Sequence, residues 1–198
     1  MTDPRLERWL DAVLATRGVT GIEDRDEARA MLVEDALRGV EVVRGFEGSI
    51  VDVGSGNGSP GIPLAASLPE REVTLLDSRR RKAEFLEGVA TDFGNVSVVW
   101  GRAEEHAERY GVALAKALAP PAVALEWLLP LVEEGGAAVL WLGSSVDLAA
   151  LSQVSGQLGG APLEERNGLA VAPKIGPTPA GFPRRPGMAR KRPLASPE

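Results

Sequence analysis

The run Asp52-Val53-Gly54-Ser55-Gly56-Asn57-Gly58-Ser59-Pro60-Gly61 is the segment of this chain best suited to hold a ligand. It lies between an apolar run and a helical pattern, the setting in which a glycine-rich turn carries meaning. Glycines there let a ligand approach the backbone and supply positive φ values. The free amides at the start of the following helix can meet polar or anionic groups. Two templates fit. Gly56, Gly58 and Gly61 satisfy G-x-G-x-x-G, the dinucleotide fingerprint, although Gly54 already follows the strand directly. Asp52, Gly54, Gly56 and Gly58 satisfy acidic-x-G-x-G-x-G, a pattern typical of S-adenosylmethionine sites. Asp77 closes the next apolar run, where it either accepts hydrogen bonds from a ribose diol or caps the helix after it. Gly101-Arg102-Ala103-Glu104 follows the third run, suited to an adenine edge, although Glu104 could equally be a solvated first-turn acid. Three such elements at the ends of three successive strands point to one ligand crevice.

The surrounding pattern must bring those ends together. Residues 3–17 and 24–43 have helical spacing, with Ala28, Met31, Leu32, Ala36, Leu37 and Val40 on one stripe of the second. From residue 49 short apolar runs alternate with helical stretches. Strands are expected over 49–53, 72–76, 96–100, 112–118 and 137–142. Helices are expected from Pro60 and Pro63, over 78–93, over 121–132 and at about 146–157. Asn167-Gly168 between 161–166 and 169–175 signals a two-residue hairpin. Alternating strands and helices imply a parallel sheet covered on both faces, with the hairpin adding antiparallel strands. This is the strand plan of class I methyltransferases. One domain is expected, with a helical extension over 1–45, a core over 46–175 and a basic Pro/Arg-rich tail over 176–198.

Composition narrows the chemistry. The 198 residues are 44% hydrophobic and 25% charged, enough apolar surface for a packed core. No apolar run approaches the roughly 20 residues of a membrane-spanning helix. The start, MTDPRLERWL, lacks the pattern of a secretory signal, so a cytoplasmic protein without a membrane partner is expected. Zero cysteines exclude disulfides and thiolate chemistry, and a single histidine, His106, excludes a multi-His zinc site, so no metal is expected. His106 sits among Glu104, Glu105 and Glu108 and reads as a surface histidine. The net charge of -6 hides a reversal: Lys174, Arg184, Arg185, Arg190, Lys191 and Arg192 stand in a stretch without acids. Phe182 and Met188 within it suggest a tail that packs. Trp9, Trp100, Trp127 and Trp141 read as core or groove wall before they read as base-stacking groups.

DVGSGNGSPGIPLA (52–65), LLDSRRRKAEFLEGV (75–89), WGRAEE (100–105) and FPRRPGMARKRPL (182–194) together resemble the RsmG (GidB) family, from about residue 19 to 194. These bacterial enzymes methylate guanine N7 in small-subunit ribosomal RNA. The resemblance implies a class I methyltransferase (Rossmann-like) fold, with a mostly parallel seven-stranded sheet, an antiparallel C-terminal hairpin and helices on both faces. It implies S-adenosyl-L-methionine as cofactor, with family contacts falling on Gly54, Ser59, Ala103, Glu104 and Lys116, to which the glycine turn and strand ends add Asp52, Gly56, Gly58 and Asp77. It implies small-subunit RNA or the 30S particle as partner, met by a monomer through Arg184, Arg185, Arg190, Lys191 and Arg192. Guanine N7 has a free lone pair and no proton, so its attack needs no general base. Lys116 is the residue placed at the reacting end.

The chain departs from the family pattern in several places. Ser59 stands where a bulky apolar residue is usual, Lys116 where arginine is usual, and Leu142 where lysine is common. Leu32 stands where histidine is usual, and Val19-Thr20-Gly21 is a degraded Asn-Leu-Thr-Ala. These departures leave open a ribosome-binding or assembly role without catalysis, and the shifted glycine match leaves open a nicotinamide-dependent oxidoreductase.

Overall fold

The computed structural model describes residues 3–143 and 146–195; residues 1–2 of the expected extension and 196–198 of the expected tail lie outside the described residues. Helix α1 (Pro4–Ala15) begins at Asp3, whose carboxylate accepts the Arg5 amide at 2.8 Å, with proline in the first turn. The stretch expected as one helix over 24–43 is helical but broken. It comprises α2 (Arg25–Ala28), a wide π turn (Arg29–Glu34), α3 (Asp35–Leu37) and α4 (Gly39–Arg44). The π turn adds a residue to the winding and rotates the expected stripe. Leu32, Val33 and Ala36 are buried, whereas Met31 turns outward and is 49% exposed.

The sheet comprises β1 (Ile50–Val53), β2 (Val73–Asp77), β3 (Val96–Trp100), β4 (Tyr110–Lys116), β5 (Val132–Trp141), β6 (Glu164–Arg166) and β7 (Leu169–Pro173). Their order is β3-β2-β1-β4-β5-β7-β6, with β1 to β5 parallel and the last two antiparallel. Helices α5 (Gly61–Ser67), α6 (Arg80–Ala90) and α7 (Pro121–Leu128) lie in the β1–β2, β2–β3 and β4–β5 crossovers, the β3–β4 crossover holds only a 3-10 turn (Ala103–Glu105), and α8 (Leu148–Gln157) precedes the hairpin. Helix α7 stops short of the expected residue 132, because Pro130 sits in a tighter 3-10 turn that leads straight into β5. Asn167 and Gly168 both have positive φ, 52° and 69°, as a tight two-residue hairpin demands.

Strand parity divides the core. Ile50, Leu75, Val112 and Leu114 face α1, the helical segment after it, α5 and α6. Val51, Val53, Leu76, Ala113 and Leu140 face α7, α8 and the tail. The tail is built into the fold: Phe182 and Leu194 pack on this second core, and α9 (Met188–Lys191) buries Ala189.

Candidate active site at the crest of the sheet

β1 is buried throughout and delivers its glycine turn to the carboxyl edge of the sheet, where open α/β sheets bind ligands. The Gly54 amide donates to the Leu76 carbonyl at 2.7 Å, tying the turn to β2. Gly54 has φ +71°, and a Cβ there would stand 2.2 Å from Leu118 Cδ1. Gly54 therefore forms the floor of a cleft of about 220 Å³, with Val53, Leu76, Ser78, Ala103, Leu118 and Trp127 around it.

Asp77, buried at the end of β2, accepts the Gly56 amide at 2.9 Å and the Arg79 amide at 2.8 Å. It thus braces the glycine turn against the β2–α6 turn; it does not cap α6, which starts at Arg80 without a side-chain cap, and its neighbours Leu76 and Ser78, rather than Asp77 itself, line the cleft. Ala103 lines the cleft, and Glu104 enters it with one carboxylate oxygen accepting the Gly187 amide at 3.1 Å. The tail thereby closes one side of the cleft. Arg190 places its guanidinium 5.1 Å from the Trp127 ring centroid, and the indole N–H of Trp127 is buried without a hydrogen-bond partner among the described residues.

Other residues expected at a cofactor lie elsewhere. Asp52, on the opposite strand face from Val53, turns to α5 and accepts the Gly61 amide at 3.0 Å. Burial pushes its carboxyl up to about 7. Gly58 abuts Ile62 and the Trp9 indole, and the Ser59 hydroxyl donates to the Leu32 carbonyl at 2.8 Å. Lys116 shares the strand face of Val112 and Leu114 and points at the N-terminal helices, 2.7 Å from Asp35 and bonded to the Met31 carbonyl. Two carbonyls of the π turn thus receive Ser59 and Lys116. Parity of the strands, readable in the sequence, is the signal that separates Asp52 and Lys116 from the cleft. Leu118 and Arg79 also line the cleft and were not expected there. Ala117, at φ 52°, is the local irregularity that aims Leu118 at Gly54.

The tail cations divide as well. Arg184 grips the buried Glu126 carboxylate with two nitrogens and donates to the Arg192 carbonyl at 2.8 Å. Lys174 is buried, with its ammonium on the Leu158 carbonyl at 2.6 Å, and burial lowers it to about 8. Arg185, Arg190, Lys191 and Arg192 are exposed. His106, expected on the surface, is half-buried and bonded to the Tyr110 hydroxyl at 2.8 Å. Trp9 and Trp141 are core residues whose indoles donate to the Asn57 and Asp35 carbonyls, both at 2.9 Å. Trp127 is groove wall, whereas Trp100 is neither core nor wall and stands in solvent.

The sequence profile of rRNA small subunit methyltransferase G (GidB) matches residues 5–152. The chain belongs to this family. A relative from Roseiflexus castenholzii, "Ribosomal RNA small subunit methyltransferase G", is 36% identical over 195 residues, covering 89% of this chain and 83% of its own. One of the same name from Synechococcus elongatus is 35% identical, covering 89% and 82%. Among solved structures, a TehB-like SAM-dependent methyltransferase from Corynebacterium glutamicum superposes with TM-score 0.52 at 17% identity, covering 76% of this chain and 93% of its own. Precorrin-6y C5,15-methyltransferase from Geobacter metallireducens gives 0.52 at 14%, covering 79% and 90%. The fold is that of class I methyltransferases.

In this member of the methyltransferase G family the dinucleotide reading of Gly56, Gly58 and Gly61 fails on geometry. Gly58 faces Trp9, and a Cβ on Gly61 would meet Leu75 at 2.3 Å, so neither opens towards the cleft. Several positions where the chain departs from the family pattern converge on one place. Ser59 and Lys116 bond the π turn, which carries Leu32. The cleft suits an adenosine in kind, with apolar walls for a ring and the Glu104 carboxylate for polar edges. Its volume is below the roughly 300 Å³ at which ligand pockets begin. Leu118, Gly187 and Arg190 are among its lining. Among the described residues no acidic or histidine cluster could hold a metal ion, and no helix is long and apolar enough to cross a membrane.

Proposed function

We propose that this chain transfers a methyl group from S-adenosylmethionine to N7 of a guanine in small-subunit (16S) ribosomal RNA. The observation that carries the reading is the cleft at the carboxyl ends of β1 to β4, floored by Gly54, in a chain whose relatives are named as small-subunit ribosomal RNA methyltransferases. When bound, the cofactor supplies an electrophilic methyl group on a sulfonium. Gly54 leaves the space for it, Ala103 and Glu104 take the adenine side, and Asp77, set behind Leu76 and Ser78 and holding the Gly56 amide, takes the ribose. Asp52, Gly58, Ser59 and Lys116 act one layer back, fixing the glycine turn and the N-terminal helices. The chain need not remove a proton from N7; its task is alignment and exclusion of water. Arg185, Arg190, Lys191 and Arg192 meet phosphates, and Arg184 holds the tail that carries them. The partner is small-subunit RNA, free or in the 30S particle, met by a monomer in the cytoplasm.

The test is transfer of labelled methyl to small-subunit RNA from a strain lacking this modification, with mapping of N7-methylguanosine. Label at a guanine N7 is expected. No transfer to either naked RNA or 30S particles overturns the reading.

A further inference from the structure

We propose that Trp100 is a stacking platform for an RNA base that flanks the target nucleotide, with the arginines around it drawing in the phosphates; this rests on the RNA reading above. Trp100 ends the edge strand β3 and is 59% exposed, a large ring left in water next to Ser78, which lines the cleft. Its indole N–H donates to the Ser78 carbonyl at 3.2 Å, which fixes the ring and consumes its one polar group. What remains to offer is a π face. The Arg80 guanidinium lies 5.5 Å from the ring centroid.

Cations outnumber acids on the segments next to the ring. Arg79, Arg80, Arg81 and Arg102 are exposed, and Arg79 and Arg102 line the cleft. Glu84 pairs with Arg80 at 2.9 Å, and Glu104 is bonded to the Gly187 amide. Arg79, Arg81 and Arg102 form no ion pair among the described residues, the Arg81 guanidinium donating to the Arg17 carbonyl at 2.9 Å. Three consecutive arginines at the start of α6 are a poor choice for the helix itself, because the backbone dipole disfavours cations there. An exposed ring with one cation against it and further exposed arginines on the adjoining segments, on a body of net negative charge, matches a single-stranded polyanion whose bases have π faces. The end of β3 is two strands from the end of β1, roughly 10 Å at the usual strand spacing. A base stacked on Trp100 therefore lies close to the glycine turn that floors the cleft.

The test compares full-length wild type with Trp100→Ala and Trp100→Phe. Binding of deproteinised small-subunit RNA and of 30S particles is followed by fluorescence anisotropy, S-adenosylmethionine binding by calorimetry, and methyl transfer by its KM for RNA and its kcat. Trp100→Ala is expected to weaken RNA binding, and raise KM, roughly tenfold or more, while Trp100→Phe stays within about threefold. Cofactor affinity and the salt slope of Trp100→Ala stay as in wild type, whereas Arg81→Gln lowers the slope by about one. Trp100→Ala binding RNA as wild type does overturns the platform, as does a parallel fall in cofactor affinity. A loss confined to 30S particles also overturns it, since the contact is then with ribosomal protein. A wild type that binds RNA through Trp100 but transfers no methyl overturns the activity alone.

Discussion

The glycine turn and the basic tail meet at one cleft, yet they reach it by different means. The turn is held by neighbours on the sheet: Gly54 by the Leu76 carbonyl, Gly56 by Asp77 and Gly61 by Asp52. The tail is held by contacts between distant parts of the chain, with Arg184 on Glu126 and Gly187 on Glu104. Cations that look alike in sequence consequently do different work. Arg184 is a structural clasp, while Arg185 beside it faces solvent.

The largest effect should come from breaking that clasp. Glu126 is 2% exposed, so Arg184→Met leaves a buried carboxylate without its partner. Loss of about 3–5 kcal/mol in urea unfolding is expected. A loss below about 1 kcal/mol would mean that the tail is not anchored there.

Next comes a pH dependence in the turn. Asp52 titrates near 7 in the folded chain against an ordinary 3.8, because burial penalises its charge. The folded state therefore binds the proton more tightly, and Asp52 costs stability as pH rises from about 4 to about 7. Asp52→Asn keeps an oxygen for the Gly61 amide and removes the ionisation. Relative to wild type it should gain about 2–4 kcal/mol between pH 4 and pH 8. A difference that is flat with pH would show that Asp52 ionises freely in the fold.

The same contrast explains what sequence could reveal. β3 at 96–100, the glycine turn and the Asn167-Gly168 hairpin were legible because their signals are local. The Arg184–Glu126 pair spans 58 positions and the Lys116–Met31 bond 85, and no local pattern encodes such partners. The π turn escaped because one extra residue in a helix leaves the apolar spacing nearly intact while turning Met31 outward. The face assignments of Asp52 and Lys116 lay in the strand alternation, which the glycine motif overshadowed.

A smaller effect tests the floor of the cleft. Gly54→Ala puts a side chain at φ +71° and a methyl against Leu118. A stability loss of about 1–3 kcal/mol is expected, with S-adenosylmethionine affinity falling at least tenfold in calorimetry. Unchanged affinity would move the ligand away from Gly54.

The smallest structural effect belongs to Arg185→Met, the counterpart of the clasp mutation. Arg185 is exposed and forms no ion pair among the described residues, so stability should change by less than about 0.5 kcal/mol. Its effect should appear in RNA binding, as a weaker affinity whose salt slope is smaller by about one. Together with Arg184→Met this separates the two roles: one arginine read by denaturant, the other by salt. If Arg185→Met unfolds the tail, or leaves the salt slope untouched, the division of the tail into clasp and contact collapses.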